Sequence, residues 1–130
     1  MITVALALAA DTVLQDAATN CVSAINVVEH IEAARYPIHL PRLCCLFVLR
    51  REVADPASIN AEIVVTLSEE LLYRAEVSIQ FGDTLRTRLI AVIGGLVIPG
   101  TGSLSVRLAR GGETLALWTV PATQVSAPRV

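Results

Sequence analysis

The amino-acid sequence predicts an all-β protein, an antiparallel β-sandwich of about eight strands with an immunoglobulin-like or jelly-roll-like arrangement. Apolar and polar side chains alternate with period two from Ile59 to Phe81, which is the period of a half-buried strand. Turn signals rich in Gly, Pro, Asn and Asp recur at short intervals, and helical periodicity is weak throughout. Strands with one apolar face bury it by stacking two sheets face to face. A closed β-barrel is the alternative.

The size and hydrophobicity of the chain are typical of one globular domain. It has 130 residues, of which 54% are hydrophobic and 17% are charged, so a core can form without a disulfide or a metal. The apolar start, residues 1–10, ends at Asp11, well short of the roughly 20 residues that a membrane span requires. It also lacks the basic region of a signal peptide. We therefore expect one domain over residues 1–120, a C-terminal tail over residues 121–130 and no membrane span.

The charge balance excludes several classes of function. The formal net charge is −2, whereas nucleic-acid binding needs clustered positive charge. All ten basic residues are arginines, which excludes Schiff-base and P-loop lysine chemistry.

The first two predicted strands are residues 2–14 and residues 21–31. The first is mainly apolar and ends in a polar turn, where Asn20 suits a left-handed backbone conformation. In the second strand, Glu29 breaks the alternation of apolar and polar residues. This predicts either a β-bulge or a two-sided environment, in which the two faces of the strand have different surroundings.

A connection containing Pro37 and Pro41 precedes the third strand. Two prolines four residues apart exclude a helix or a central strand there. The third strand, residues 42–51, is continuously apolar in its middle. We therefore expect that both of its faces are covered, or that it is an edge strand covered by a partner.

The alternation from Ile59 to Phe81 predicts a β-hairpin of two long strands. A helix over residues 66–75 is the alternative, since Thr66 and Glu69 have the spacing of a capping box, but the period-two pattern on both sides favours strands. If residues 68–70 form the loop, the apolar sides of the two strands agree. The register is then Leu67 opposite Leu71, Val65 opposite Tyr73, and Ile63 opposite Ala75.

The last three predicted strands follow the turn at Gly82. The first of them carries Arg86 and Arg88 on its outer side. A Pro-Gly turn and a tight turn at residues 110–113 separate the others. The three strands are residues 85–93, 103–108 and 114–120.

The order of several short motifs resembles an uncharacterised bacterial β-sandwich family, classified as a domain of unknown function. The match spans residues 2–120. The resemblance implies a β-sandwich fold and a bacterial origin, and it implies no catalytic residues. The motifs are an acidic-ended first strand (AADTVLQD, residues 9–16), a second strand after a short turn (residues 19–31), an aromatic-proline linker (RYPIHLP, residues 35–41), a Pro-Gly turn with its strand (residues 98–108) and a final hairpin (residues 111–118).

The cysteines and histidines give no strong signal for a catalytic or metal site. Cys44 and Cys45 point to opposite faces of a strand and are a poor pair. A bridge from Cys21 to either is possible, but buried reduced thiols in a cytoplasmic protein are favoured. His30 and His39 lack the spacing of metal ligands. We therefore predict no catalytic residues, no metal and no cofactor.

The arginines Arg50, Arg51, Arg86 and Arg88 form two short basic clusters. They could bind an anion, although such clusters on an acidic protein more often pair with neighbouring carboxylates.

Apolar residues on the outer side of the predicted strands indicate an interaction surface. They are Val64 and Leu72 in the hairpin, and Ile90 and Val92 in the following strand. Exposed apolar patches mark interfaces. We therefore predict a non-enzymatic protein that acts through protein contacts, as a homodimer or as an accessory subunit. A small-molecule or carbohydrate binding module is the alternative.

Overall fold

The computed structural model describes residues 1–126, and the prediction of an all-β fold is confirmed. Nine strands, rather than about eight, form over these residues, because the second predicted strand is interrupted after Val27. The strands are β1 (Thr3–Gln15), β2 (Val22–Val27), β3 (Ile31–Ala33), β4 (Ile38–Arg50), β5 (Ser58–Leu67), β6 (Glu70–Gln80), β7 (Arg86–Ile98), β8 (Gly102–Arg110) and β9 (Glu113–Gln124).

The strands form two sheets around one core. One sheet has the order β2-β1-β4-β7 and the other β3-β9-β8-β5-β6. All pairs are antiparallel except β3 with β9, which is parallel, so the sandwich is not purely antiparallel. Alternate side chains of both sheets point between them and exclude water. The largest fully buried ones include Phe47 and Leu49 of β4, Ile63 and Val65 of β5, Ile93 of β7, and Leu104 and Leu108 of β8.

The β5–β6 hairpin has the predicted register except near its turn. Val65 lies opposite Tyr73, and Ile63 lies opposite Ala75, as expected. A bulge between Val65 and Thr66 leaves Leu72 without an opposite residue, because Thr66 already pairs with Leu71. The loop is therefore two residues long, with Ser68 at φ 53°, and Leu67 lies opposite Glu70 rather than Leu71.

The prediction that Pro41 belongs to a connection before the third strand is wrong. This residue lies within β4, which runs between β1 and β7. However, β1 pairs with β4 only from Cys44 to Arg50, so β4 has a single neighbour at Pro41. A proline needs no hydrogen-bond partner on the open side of a strand.

One of the two sheets curls into a half-barrel, and within the four-stranded sheet β1 changes partners. It pairs with β4 up to Ala10 and with β2 from Ala10 onwards. The β1–β2 hairpin (residues 10–27) bends back, and its turn reaches β7, where Nη2 of Arg88 donates a hydrogen bond to the carbonyl oxygen of Asn20 at 2.8 Å. The outer side of β4 is consequently buried, with Leu46 only 3% exposed. The expectation that this strand is covered on both faces is therefore confirmed.

The last strand continues beyond the predicted end of the domain. β9 runs to Gln124, so the tail predicted from residue 121 begins later, and residues 127–130 lie outside the described residues. The extra length is held by β3, which pairs with it from Ile31 onwards. The hydroxyl of Tyr36 also donates to the carbonyl oxygen of Thr123 at 2.7 Å.

Candidate functional site

Two of the four predicted surface residues are not available for contacts. Val64 does lie on the outer side of its sheet, but it is only 6% exposed. It lies between Arg74 on β6 and Arg107 on β8, and long arginine stems cover apolar surface on a sheet. Leu72 packs against the core instead of facing outwards, because the bulge reverses its direction.

The other two predicted residues lie on β7 and differ in exposure. Ile90 lies opposite Leu46 and is half-buried. Val92 lies opposite Cys44 and is 59% exposed. Of the predicted surface, Val92 is therefore the residue that a partner can reach most fully.

Val92 belongs to an open strand edge. β7 is the last strand of its sheet and pairs only with β4 among the described strands. From residue 89 to residue 98 it reads LIAVIGGLVI, with no charge and no proline. Natural edge strands are normally protected by such residues. Gly95, at φ 70°, interrupts regular backbone geometry, so the regular part of this edge is residues 89–94.

The β6 edge of the other sheet is protected by charged side chains. β6 is the corresponding outermost strand, and it carries Glu70, Arg74 and Glu76. Nε of Arg74 lies 2.8 Å from a carboxylate oxygen of Glu62. Charged side chains on an edge discourage pairing with another chain, so β7 is the more suitable edge for an additional strand.

A second candidate site is a cleft of about 570 Å³ between the turn of the β1–β2 hairpin and the outer face of the four-stranded sheet. We call it the hairpin cleft. Its volume lies in the range of small-molecule sites, about 300–1,000 Å³. Its walls combine apolar side chains with uncharged polar and basic ones. The lining residues are Leu6, Gln15, Asn20, Val22, Leu46, Val48, Thr84, Arg86, Thr87 and Arg88.

The electrostatics of the hairpin cleft centre on Arg88. None of the described lining residues is acidic, and neither Arg86 nor Arg88 forms an ion pair within residues 1–126. Nη1 of Arg88 is buried and finds no hydrogen-bond acceptor in the described part of the chain. The cleft therefore holds uncompensated positive charge on a protein whose net charge is negative.

Arg50 and Arg51, the other two arginines of the predicted clusters, do not line the hairpin cleft. Arg51 supports a loop, since its guanidinium donates to the carbonyl oxygens of Thr84 at 2.9 Å and Asp55 at 3.1 Å. It also lies over the ring of Phe81, 5.7 Å from the centroid. Arg50 lies opposite Arg86 on the neighbouring strand.

A larger depression, of about 650 Å³, lies on the outer face of the five-stranded sheet. Of the charged residues that line it, Glu62 and Arg74 compensate each other through a bidentate pair at 2.8 and 3.2 Å, and Glu76 adds a negative charge. It is therefore a weaker candidate site than the hairpin cleft.

The cysteines are free thiols, and they differ in environment. Cys44 and Cys45 are buried, whereas Cys21 is exposed, contrary to the expectation of buried thiols throughout. Burial, together with the neighbouring Cys44, raises the pKa of Cys45 to about 12. A thiol that stays protonated is a poor nucleophile.

Both histidines are exposed. His30 lies 2.9 Å from the hydroxyl of Thr123 and 3.2 Å from a carboxylate oxygen of Glu32. His39 lies on β4 and is exposed. Within residues 1–126, no three His, Cys, Asp or Glu side chains are close enough together to hold a metal ion.

The hairpin cleft was not predicted from the sequence, although one signal pointed to it. The middle of β4 is apolar on both sides, which requires a cover on the outer side. The sequence did not show that the cover is the β1–β2 hairpin, since nothing in β1 marks the residue at which it changes partners.

No protein-family model matches this chain, and no curated protein matches it. Nothing among the described residues has the length and hydropathy of a membrane-crossing helix.

Proposed function

We propose that this protein is a non-enzymatic module that acts through protein contacts, and that its first partner is a second copy of the same chain. The observation that carries the proposal is the open, uncharged edge of β7 around Val92. An exposed edge offers unpaired N–H and C=O groups to an added strand.

The chemistry of β7 fits a symmetric pairing. In a two-fold dimer each copy presents the same patch, so two β7 strands would run antiparallel and join two four-stranded sheets. The patch around Val92 has no charge that would oppose its own copy. The exposed apolar side chains Val92 and Val97 would lose contact with water on association.

Sedimentation velocity of the wild type and of Val92→Asp over a wide range of concentrations tests this proposal. We expect a reversible dimer for the wild type. Like charges facing each other across an interface cost several kcal/mol, so the variant should dissociate at least about a hundredfold more readily.

Leu117→Asp is the matched control. Leu117 is 55% exposed and lies on β9 of the other sheet, so this charge should leave the dimer intact. A wild type that sediments as a monomer at every concentration would contradict the proposal.

The carbohydrate alternative receives no support from the aromatic residues. Sugar sites usually present exposed aromatic rings, and no described aromatic side chain is exposed. The small-molecule alternative is favoured at a different place, by the hairpin cleft and its uncompensated charge.

A further inference from the structure

We infer that the hairpin cleft binds a small organic acid, a carboxylate attached to a hydrocarbon chain. This inference takes up the small-molecule alternative, and it is independent of the dimer proposed at β7. It rests on the buried Nη1 of Arg88, on the absence of acidic groups among the described lining residues, and on the apolar floor of the cleft.

The guanidinium of Arg88 is held in place and only partly used. Its Nη2 donates to the carbonyl oxygen of Asn20 at 2.8 Å, which fixes the side chain against the hairpin turn. Its Nη1 has no acceptor within residues 1–126. A buried donor without an acceptor lowers stability, and a charged one does so more strongly. Arg88 lines the cleft, so an anion that enters beside it and reaches Nη1 would supply the missing acceptor.

The two threonine hydroxyls that line the cleft donate to backbone carbonyl oxygens. The hydroxyl of Thr84 donates to the carbonyl oxygen of Phe81 at 2.6 Å or of Arg86 at 2.9 Å. The hydroxyl of Thr87 donates to the carbonyl oxygen of Gln80 at 3.0 Å. The side chain of Arg86 is exposed and forms no hydrogen bond to another described side chain. Arg86 can therefore supply a second positive charge beside Arg88.

The apolar walls of the cleft favour an organic anion over a free inorganic one. Leu6, Val22, Leu46 and Val48 line the same cleft. Leu6 as a whole is 45% exposed, so apolar surface remains in contact with water. A hydrocarbon chain would remove that surface from water, which is favourable in proportion to the area covered. A phosphate or sulfate ion would leave it exposed.

Isothermal titration calorimetry with decanoate tests the inference, with decanol and inorganic phosphate as separate probes. Decanoate should bind, whereas decanol, which has the chain without the charge, and phosphate, which has the charge without the chain, should bind much more weakly. Amide chemical shifts of residues 46–48 and 86–88 should move on addition of decanoate, which places the ligand in the cleft.

Two variants and a control test whether decanoate binding depends on the arginines of the cleft. Arg88→Gln should weaken decanoate binding by about tenfold or more, the usual effect of losing one charge-assisted hydrogen bond. Because Arg88 also holds the hairpin turn, Arg86→Glu serves as a second variant at an exposed position, and it should weaken binding too. Arg107→Ala is the control, since Arg107 is a half-buried arginine on β8, outside the cleft.

Three outcomes would overturn the inference. Decanol binding as tightly as decanoate would show that the arginines play no part. Phosphate binding as tightly as decanoate would indicate an ion site without a chain. No decanoate binding, or binding that Arg86→Glu and Arg88→Gln leave unchanged, would exclude an organic acid from this cleft. None of these results depends on whether β7 forms a dimer.

Discussion

Truncation of Leu46 tests whether the outer side of β4 is a genuine part of the protein interior. In an ordinary sandwich an outward-facing leucine lies in solvent, and its replacement by alanine changes stability by less than about 0.5 kcal/mol. Here Leu46 is 3% exposed, because the β1–β2 hairpin bends back over the sheet. Leu46→Ala should therefore behave as a core truncation.

The size of the effect follows from the position of the side chain. Buried leucine to alanine replacements cost about 2–5 kcal/mol, with the larger losses where a rigid cavity remains. Leu46 also lines the hairpin cleft, so the space can be hydrated or partly closed by neighbouring side chains. We therefore expect a loss near the lower limit, about 2–3 kcal/mol.

Urea unfolding followed by the fluorescence of Trp118, the single tryptophan, measures this loss. Trp118 is half-buried and donates to the carbonyl oxygen of Val28 at 2.8 Å, so its environment changes on unfolding. With an m-value of about 1.5 kcal/mol/M, the midpoint should fall by about 1.5 M.

The matched control is Leu117→Ala, which removes the same atoms from a leucine that is 55% exposed. Its midpoint should stay close to that of the wild type. Equal midpoints for the two variants would refute the conclusion that the hairpin covers β4.

Three further predictions concern burial and charge. Val65→Asp should lower the free energy of unfolding by more than about 3 kcal/mol, because it places an unpaired charge in the core; Val64→Asp should cost less in the same urea experiment, since arginine side chains flank Val64. Iodoacetamide at neutral pH should alkylate Cys21 in the native protein, and Cys45 only after unfolding, because the pKa of about 12 keeps its thiol protonated; rapid native labelling of Cys45, seen by mass spectrometry, would contradict its burial. Hydrogen bonds from the N-terminal amino group and from the backbone N–H of residue 52 lower the pKa of Asp55 below its usual 3.8, so its stabilising contribution is complete above that pH and is lost as the pH falls through the lower, native value. The acid limb of the unfolding curve should therefore flatten in Asp55→Asn, and an unchanged limb would argue against these hydrogen bonds.

The β5–β6 hairpin shows how much of the fold local pattern can predict. The alternation of side chains gave the correct pairing of Val65 with Tyr73, because a shift of one residue would have exposed the apolar set. The bulge that turns Leu72 inwards was not predictable, since it follows from a two-residue turn that the sequence does not mark with glycine. One extra residue was enough to remove Leu72 from the predicted surface.

The candidate sites depend on long-range geometry that local patterns do not contain. Val64 was correctly placed on the outer side of its strand, but the arginines that cover it come from two other strands. The hairpin cleft likewise depends on the point at which β1 leaves β4 for β2. The exposure of Val92 could be predicted because it depends on β7 alone, and the absence of charge over residues 89–98 is visible in the sequence.

Hydrogen exchange of the β7 amides at several protein concentrations tests the proposed function most directly. Amides of residues 89–94 that point away from β4 have no strand partner among residues 1–126, so they should exchange quickly when the protein is dilute and slowly when it is concentrated. The outward amides of β6 should exchange at the same rate throughout, because charged residues protect that edge from pairing. Fast exchange of the β7 edge at every concentration, or protection that grows on β6 instead, would contradict a dimer formed through β7.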